Sequence, residues 1–280
     1  MKMTVPLLTL LALAGAAGAA AALPAAPPTG ADWRTPDPQN VLVIDTSKGR
    51  IIVELNSVAA PLAVARISEL TRKHFYDGRA FFRVIDGFMD QTGDPMDNGT
   101  GGSPLPNLPA EFTFRRSADM AFTPVTKLGG LDVGFIGSLP VISQAMDLGA
   151  LTADGKVKAY ATYCPGIGGM ARADAPDSAN SQFYLMRGTN DALDQKYAVW
   201  GRVISGIDVV RSIKTGEPPT PPSDTMTTVR LLSDIPDAQR PQVRVINTQG
   251  SWFSAMIARM KTEKVVDFSI CDFDLPSQVK

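Results

Sequence analysis

One histidine, His74, and two cysteines, Cys164 and Cys271, are all that 280 residues hold of the side chains most used as bases, thiol nucleophiles and soft metal ligands. Any Ser-His-Asp or Cys-His arrangement would have to use His74. That residue falls where a helix should end, a place that suits a histidine against the helix C-terminus. No G-x-S-x-G, H-E-x-x-H or phosphate-binding glycine loop occurs, and "NGTGG" is too plain to indicate a nucleotide site. The cysteines lie far apart without partner ligands, which argues against a metal site. An excess of either charge is missing too: 27 basic residues face 28 acidic ones, for a net charge of -1. Without a basic run, nucleic acid is excluded as a partner, since phosphate binding needs clustered Lys and Arg. What is left points away from covalent catalysis and metal hydrolysis.

The N-terminus differs from the rest. "MKMTVPLLTLLALAGAAGAAAALPAAPP" places Lys2 before an apolar run and then small residues. That order predicts a secretory signal peptide over residues 1–23, the alternative being an uncleaved membrane anchor. A Pro-rich linker is expected over 24–40. The mature chain is then expected to be exported to the periplasm, without stable membrane association, and to be monomeric. An oxidising compartment permits a disulfide between Cys164 and Cys271, against the alternative of two buried free thiols.

From residue 41 the pattern is mostly β. "VLVIDTSKGRIIVEL" alternates at Val41 and Val43, then at Ile51, Val53 and Leu55, as two strands around "TSKG". "APLAVARISELTRKHF" places Pro61 in a first turn and Val64, Ile67 and Leu70 on one helical stripe. "AFFRVIDGFMDQTGD" reads as two short strands broken at Asp86-Gly87, and "PMDNGTGGSPLPNLPAEF", within the Gly- and Pro-rich stretch 95–130, as a surface loop. "YAVWGRVI" and "TTVRLLSDI" are strand-like. "SGIDVVRSIKTG" reads as a second helix with Ile207, Val210 and Ile213 inward and Gly216 closing it. After Pro236, "PQVRVINTQ", "SWFSAMIARMKTEK" and "VVDFSICDF" read as strand, helix and strand. They form an extension over 236–280 that is too short to stand alone and should pack on the main domain.

Three stretches together resemble the cyclophilin family of peptidyl-prolyl cis-trans isomerases. They are "FYDGRAFFRVIDGFMDQTGDP", "GMARADAPDSANSQFYL" and "LDQKYAVWGRVISGIDVVRSI". The resemblance covers 41–235 and implies a closed eight-stranded antiparallel β-barrel capped by two helices. It implies rotation of X-Pro bonds in proline-containing polypeptides, without cofactor. The family's catalytic arginine falls on Arg83, and its polar partner on Gln91. Its proline pocket falls on Phe88, Met89, Tyr184 and Leu193, and the strand along which substrate lies falls on Ala171 and Arg172. Tyr197 stands where many members have histidine.

Such residues suit the reaction, because turning an X-Pro bond breaks no bond. The obstacle is an amide-resonance barrier of roughly 20 kcal/mol. A fixed guanidinium can donate to the proline nitrogen as it becomes pyramidal, which stabilises the twisted state over the planar one. The departures from the family are specific. Ala192 stands where many members have a tryptophan that helps bind cyclosporin, and Phe82 replaces a frequent histidine beside Arg83. Tyr184 adds a hydroxyl, expected at the pocket rim. An insertion over roughly 124–165 is expected to be ordered as a short helix or hairpin beside the cleft, where it would bind a partner or limit access. The alternative function is a catalytically weak binding or chaperone module of the same fold.

Overall fold

The computed structural model describes residues 27–263 and 269–280, so the expected leader lies outside the described residues. In chain order the strands and helices are β1 (Trp33–Arg34), β2 (Val41–Thr46), β3 (Gly49–Leu55), α1 (Pro61–Arg72), β4 (Arg83–Ile85) and β5 (Met89–Thr92). Then follow β6 (Phe114–Arg116), β7 (Phe122–Leu128), β8 (Leu131–Ile136), β9 (Leu139–Ser143) and β10 (Val157–Ala161). The chain continues through β11 (Ile167–Met170), β12 (Phe183–Met186), β13 (Val199–Ser205), α2 (Ile207–Ser212) and β14 (Met226–Leu231). It ends with β15 (Val243–Ile246), α3 (Ser251–Glu263) and β16 (Ser277–Val279).

Eight antiparallel strands form the main sheet in the order β14-β2-β3-β13-β11-β12-β5-β4. The sheet curls until its edges meet. Ala80, just before β4, bridges Thr225, just before β14, and Val84 exchanges two 2.8 Å hydrogen bonds with Gly216. Closure is thus made by isolated bridges rather than by a continuous ladder. Gly216 pairs with this edge at φ +150° and does not close the second helix, which ends at Ser212 with Ile213 already extended.

Strand alternation separates two apolar clusters. Leu42, Ile44, Ile51, Val53, Val84, Phe183, Leu185 and Trp200 point into the curl with Val64, Ile67 and Leu70 of α1. Pro61 opens that helix, and the distant Glu111 carboxylate accepts from the N–H groups of Leu62 (2.9 Å) and Ala63 (2.8 Å). This satisfies donors that a helix start leaves unpaired. Arg187 serves the end of α2, donating to the carbonyls of Arg211 and Ile213.

The outer face of the sheet is covered as well. Val41, Val43, Ile52 and Ile204 pack under Val243 and Val245 of β15. β15 is the centre of a three-stranded sheet with β1 and β16. Residues read as linker therefore contribute a strand: Trp33 and Arg34 pair with Ile246 and Val245, and Arg34 forms a bidentate ion pair with Glu54 of β3. Ser277–Val279 form the last strand; of "VVDFSICDF", residues 265–268 lie outside the described residues and Ile270–Asp272 form a single 3-10 turn.

Where a short helix or hairpin was expected over roughly 124–165, the chain forms a five-stranded antiparallel sheet, β6-β10-β9-β8-β7, that begins earlier, at Phe114. Two signals hid it. Pro124 lies within β7, which is tolerable because β7 is an edge strand with a register shift at that point. Gly129 and Gly130, both at positive φ, make the two-residue turn between paired Leu128 and Leu131.

Arg202 joins main sheet, insertion and extension. It is almost fully buried on β13 and donates to the carbonyls of Ser138 (3.1 Å) and Phe273 (2.9 Å). Burial holds its guanidinium down to about 10, with the Asp274 charge opposing. The disulfide Cys164–Cys271 makes a second tie, between the segment before β11 and the extension, across 107 residues. Removing a native disulfide typically costs about 2–5 kcal/mol. Arg202→Ala removes two buried hydrogen bonds to charged nitrogen and is expected to cost about 3 kcal/mol. In thermal unfolding this is a fall of roughly 6–12 °C. An unchanged midpoint would show that the three parts hold together without it.

Candidate active site

One row across the main sheet carries the centre of the site. Arg83 of β4 lies directly opposite Gln91 of β5, Gln91 opposite Tyr184 of β12, and Tyr184 opposite Gly169 of β11. Neighbours directly opposite in antiparallel strands hold their side chains on the same face. That face is the outer one, so Arg83, Gln91 and Tyr184 project away from the curl. Met89, two residues before Gln91, shares the face and pairs with Ile85 and Met186.

The structure gathers Arg83, Phe88, Met89, Gln91, Ala171, Arg172, Tyr184, Leu193 and Tyr197 around one cavity of about 130 Å³. Met89 and Tyr184 are buried in its floor, and Phe88, Leu193 and Tyr197 are half-buried walls. Phe88 is fixed by its backbone: its carbonyl accepts from the Arg187 N–H at 2.8 Å, and its N–H donates to Ile85 across the Asp86-Gly87 turn. Leu193 ends a 3-10 turn that Asn190 caps by accepting from the Ala192 N–H at 3.2 Å. The next residue, Asp194, accepts from Thr162 Oγ1 (2.8 Å) and the Tyr163 N–H (3.0 Å). Burial pushes its carboxyl up to about 6, with those two donors opposing.

Arg83 is half-exposed. Its Nε donates to Glu217 Oε2 at 2.7 Å, and its Nη1 reaches Gln91 Oε1 at 3.4 Å. Among the described residues its Nη2 has no hydrogen-bond partner. Gln91 is itself oriented: its Nε2 donates to Gln182 Oε1 at 3.0 Å, and Gln182 Nε2 donates to the carbonyls of Gly99 (3.1 Å) and Gly101 (2.8 Å). The 94–101 loop is pinned by Asp94, which accepts from the N–H groups of Met96, Asn98 and Gly99. Burial alone would raise the Asp94 carboxyl, but these backbone donors hold it below the usual carboxylate range. This loop borders a second hollow of about 370 Å³ that shares Gln91, Ala171 and Arg172 with the first and continues past Asn180 and Gln182.

Two expectations for substrate contacts change. The Tyr184 hydroxyl is not at a rim; it donates to the Tyr163 hydroxyl at 3.1 Å beneath the floor, and burial raises both phenols. The Ala171 N–H is already committed to the Gln182 carbonyl at 2.9 Å. Among the described residues, the Ala171 carbonyl and the Arg172 N–H have no hydrogen-bond partner. The Arg172 guanidinium turns back onto the carbonyls of Lys196, Ala173 and Asp174 and lies 4.5 Å from the Tyr197 ring centroid.

Four supporting residues escaped the sequence reading. A Cβ on Gly169 would come within 2.6 Å of the Tyr184 ring and 2.8 Å of the Tyr163 hydroxyl, so only glycine lets Tyr184 lie there. Gln182 and Glu217 accept hydrogen bonds from Gln91 and Arg83. Arg187 lies 3.2 Å from the buried Asp90 carboxylate on the inner face of β5. Burial pushes Asp90 up to about 7 against the pull of that guanidinium. "SQFY" was in view, but nothing in it marks Gln182 as a second-layer amide. His74 stands away from the cavity, exposed at the end of α1, with Nδ1 3.3 Å from Asp77. Among the described residues no group of three or more His, Cys, Asp or Glu could hold a metal.

The model of the family described as cyclophilin type peptidyl-prolyl cis-trans isomerase/CLD matches residues 41–233. A probable peptidyl-prolyl cis-trans isomerase of Brucella suis biovar 1 is 34% identical over 191 residues, covering 64% of this chain and 74% of the relative. Peptidyl-prolyl cis-trans isomerase-like 1 of Homo sapiens is 28% identical over 182 residues, covering 65% and 81%. Among solved structures, the cyclophilin AquaCyp293 from Hirschia baltica is similar at 33% identity and a TM-score of 0.82, covering 88% of this chain and 93% of that one. That likeness takes in more of the chain than the family match does. With the eight-stranded sheet, its two helices and a match over most of the chain, this protein belongs to the cyclophilin-type peptidyl-prolyl cis-trans isomerase family.

Proposed function

We propose that this chain isomerises X-Pro bonds of exported polypeptides, as a monomer, with Arg83 as the group that acts on the reacting amide. The observation that carries the reading is a guanidinium with an open Nη2 at the edge of a cavity of about 130 Å³ that has Phe88, Met89, Tyr184 and Leu193 in its lining. Phe88, Met89, Tyr184 and Leu193 would hold the pyrrolidine ring by burial. The Ala171 carbonyl and the Arg172 N–H would pair with the peptide backbone. Arg83 would donate to the proline nitrogen as the amide twists and its lone pair localises. The planar amide has no such lone pair to offer, so the interaction favours the twisted state and lowers the barrier. About 7 kcal/mol of lowering separates the spontaneous reaction from on the order of a thousand turnovers per second. A preorganised donor of this kind supplies roughly 3–4 kcal/mol of it, and orientation by the pocket the rest.

A weak binding module of the same fold is the less favoured reading, because no residue of the 114–161 sheet lines the cavity. Lys2, the apolar run and the small residues after it support export to the periplasm, and a Cys164–Cys271 bridge fits that compartment. A role in folding exported proteins follows from that location.

In a protease-coupled assay on a short X-Pro peptide, Arg83→Ala is expected to lower kcat/KM about 100-fold or more. Arg83→Lys should recover little, because an ammonium cannot reproduce the planar fork. Equal rates for wild type, Arg83→Ala and buffer would end the enzyme reading. Ala192 is exposed beside Leu193 and offers no aromatic surface, so cyclosporin is expected to bind weakly. Tight inhibition in the nanomolar range would contradict this. Intact mass of the exported protein should show loss of residues 1–23 and a gain of hydrogens only on reduction. A full-length mass would instead indicate a retained anchor.

A further inference from the structure

We infer that Glu217 is a positioning residue for Arg83, holding its guanidinium by Nε so that the Nη side faces the proline cavity. The inference rests on the reading of Arg83 given above and extends it to a residue outside the cavity. Glu217 lies on the segment after α2, and its neighbour Gly216 is paired to Val84 of β4 by two 2.8 Å backbone bonds. Val84 is next to Arg83, so the segment bearing the carboxylate and the strand bearing the guanidinium are joined at adjacent residues. Glu217 Oε2 accepts from Arg83 Nε at 2.7 Å. Glu217 does not line the proline cavity. It borders an adjoining hollow of about 530 Å³ with Phe82, Asp97, Asn98 and Pro218, which shares Arg83 and Gln91 with the proline cavity. The carboxylate therefore engages the guanidinium from outside the proline cavity.

The need for such a partner follows from the weakness of the other one. Gln91 meets Arg83 Nη1 at only 3.4 Å and is itself directed toward Gln182. An arginine that is 41% exposed would otherwise sample many rotamers. An exposed ion pair adds little to stability. It can still fix orientation, because the guanidinium fork is rigid once Nε is held. Glu217 has no part in binding the proline ring, so its effect should fall on turnover rather than on substrate affinity.

The test is a double-mutant cycle on the full-length mature protein with a short X-Pro peptide, reading kcat and KM separately. Glu217→Ala is expected to lower kcat about tenfold, with KM moving less than about twofold. Glu217→Gln, whose Oε1 still accepts from Nε, should keep kcat within about threefold of wild type. In an Arg83→Ala background, Glu217→Ala should have no further effect. The inference is overturned if Glu217→Ala leaves kcat unchanged, if Glu217→Gln loses as much as Glu217→Ala, or if the loss is the same with and without Arg83. Wild-type activity in Arg83→Ala alone would instead overturn the role assigned to Arg83, whatever Glu217 does.

Discussion

The candidate site depends on how closely Tyr184 can lie against the sheet at Gly169. These two residues are opposite one another on β12 and β11, and the row continues through Gln91 to Arg83. A side chain at 169 would enter the space held by the Tyr184 ring and the Tyr163 hydroxyl. Tyr184 would then rise into the cavity, and the ring surface left for a proline would be lost. Because Tyr184 lies flat, its hydroxyl points down to Tyr163, where each phenol partners the other. The pocket floor is thereby polar underneath and apolar above. The spacing of the guanidinium and the floor is set by strand pairing, which is more rigid than any loop.

The two faces of the main sheet carry different loads. The inner face is closed by α1 and by its own curl, and Asp90 with Arg187 is the buried ion pair that ties β5 and β12 to the end of α2. The outer face is apolar over most of its area and would be a liability if bare. The extension covers Val41, Val43 and Ile52, while the insertion and α3 meet the face that bears Met89, Tyr184 and Met186. Val125, Phe135, Val141, Phe253 and Phe273 belong to the same cluster as those pocket residues. No residue of either cover lines the cavity. Arg202 and the disulfide hold both covers to β13 and the segment before β11.

Local pattern made the strands of the main sheet legible, because alternation and the Asp86-Gly87 turn are properties of a few adjacent residues. Val41 and Val43 alternate as expected, yet Leu42 and Ile44 are buried too, because Val41 and Val43 lie under β15 while Leu42 and Ile44 fill the curl. The insertion was expected as a short helix or hairpin, and a proline on an edge strand and a Gly-Gly turn concealed that five strands lie there. The nine cavity residues were named from motifs, so their convergence owes little to periodicity. Gly169, Gln182, Arg187 and Glu217 were not legible. Each matters through a partner between 15 and 134 residues away, or through a contact that a glycine permits by having no side chain.

Two cations line the cavity, and their surroundings separate their roles. Arg172 donates to three backbone carbonyls and lies against Tyr197, so it stiffens the segment along which a peptide would run. Moving it would break several bonds at once. Arg83 has one carboxylate, one long contact to an amide, and an open Nη2. A group that must meet a nitrogen only in its twisted state needs an unfilled donor in the ground state and a fixed direction for it. Arg172 has the fixed direction but faces the backbone, whereas Arg83 has both. That asymmetry, rather than charge alone, singles out Arg83 as the residue through which this site would act.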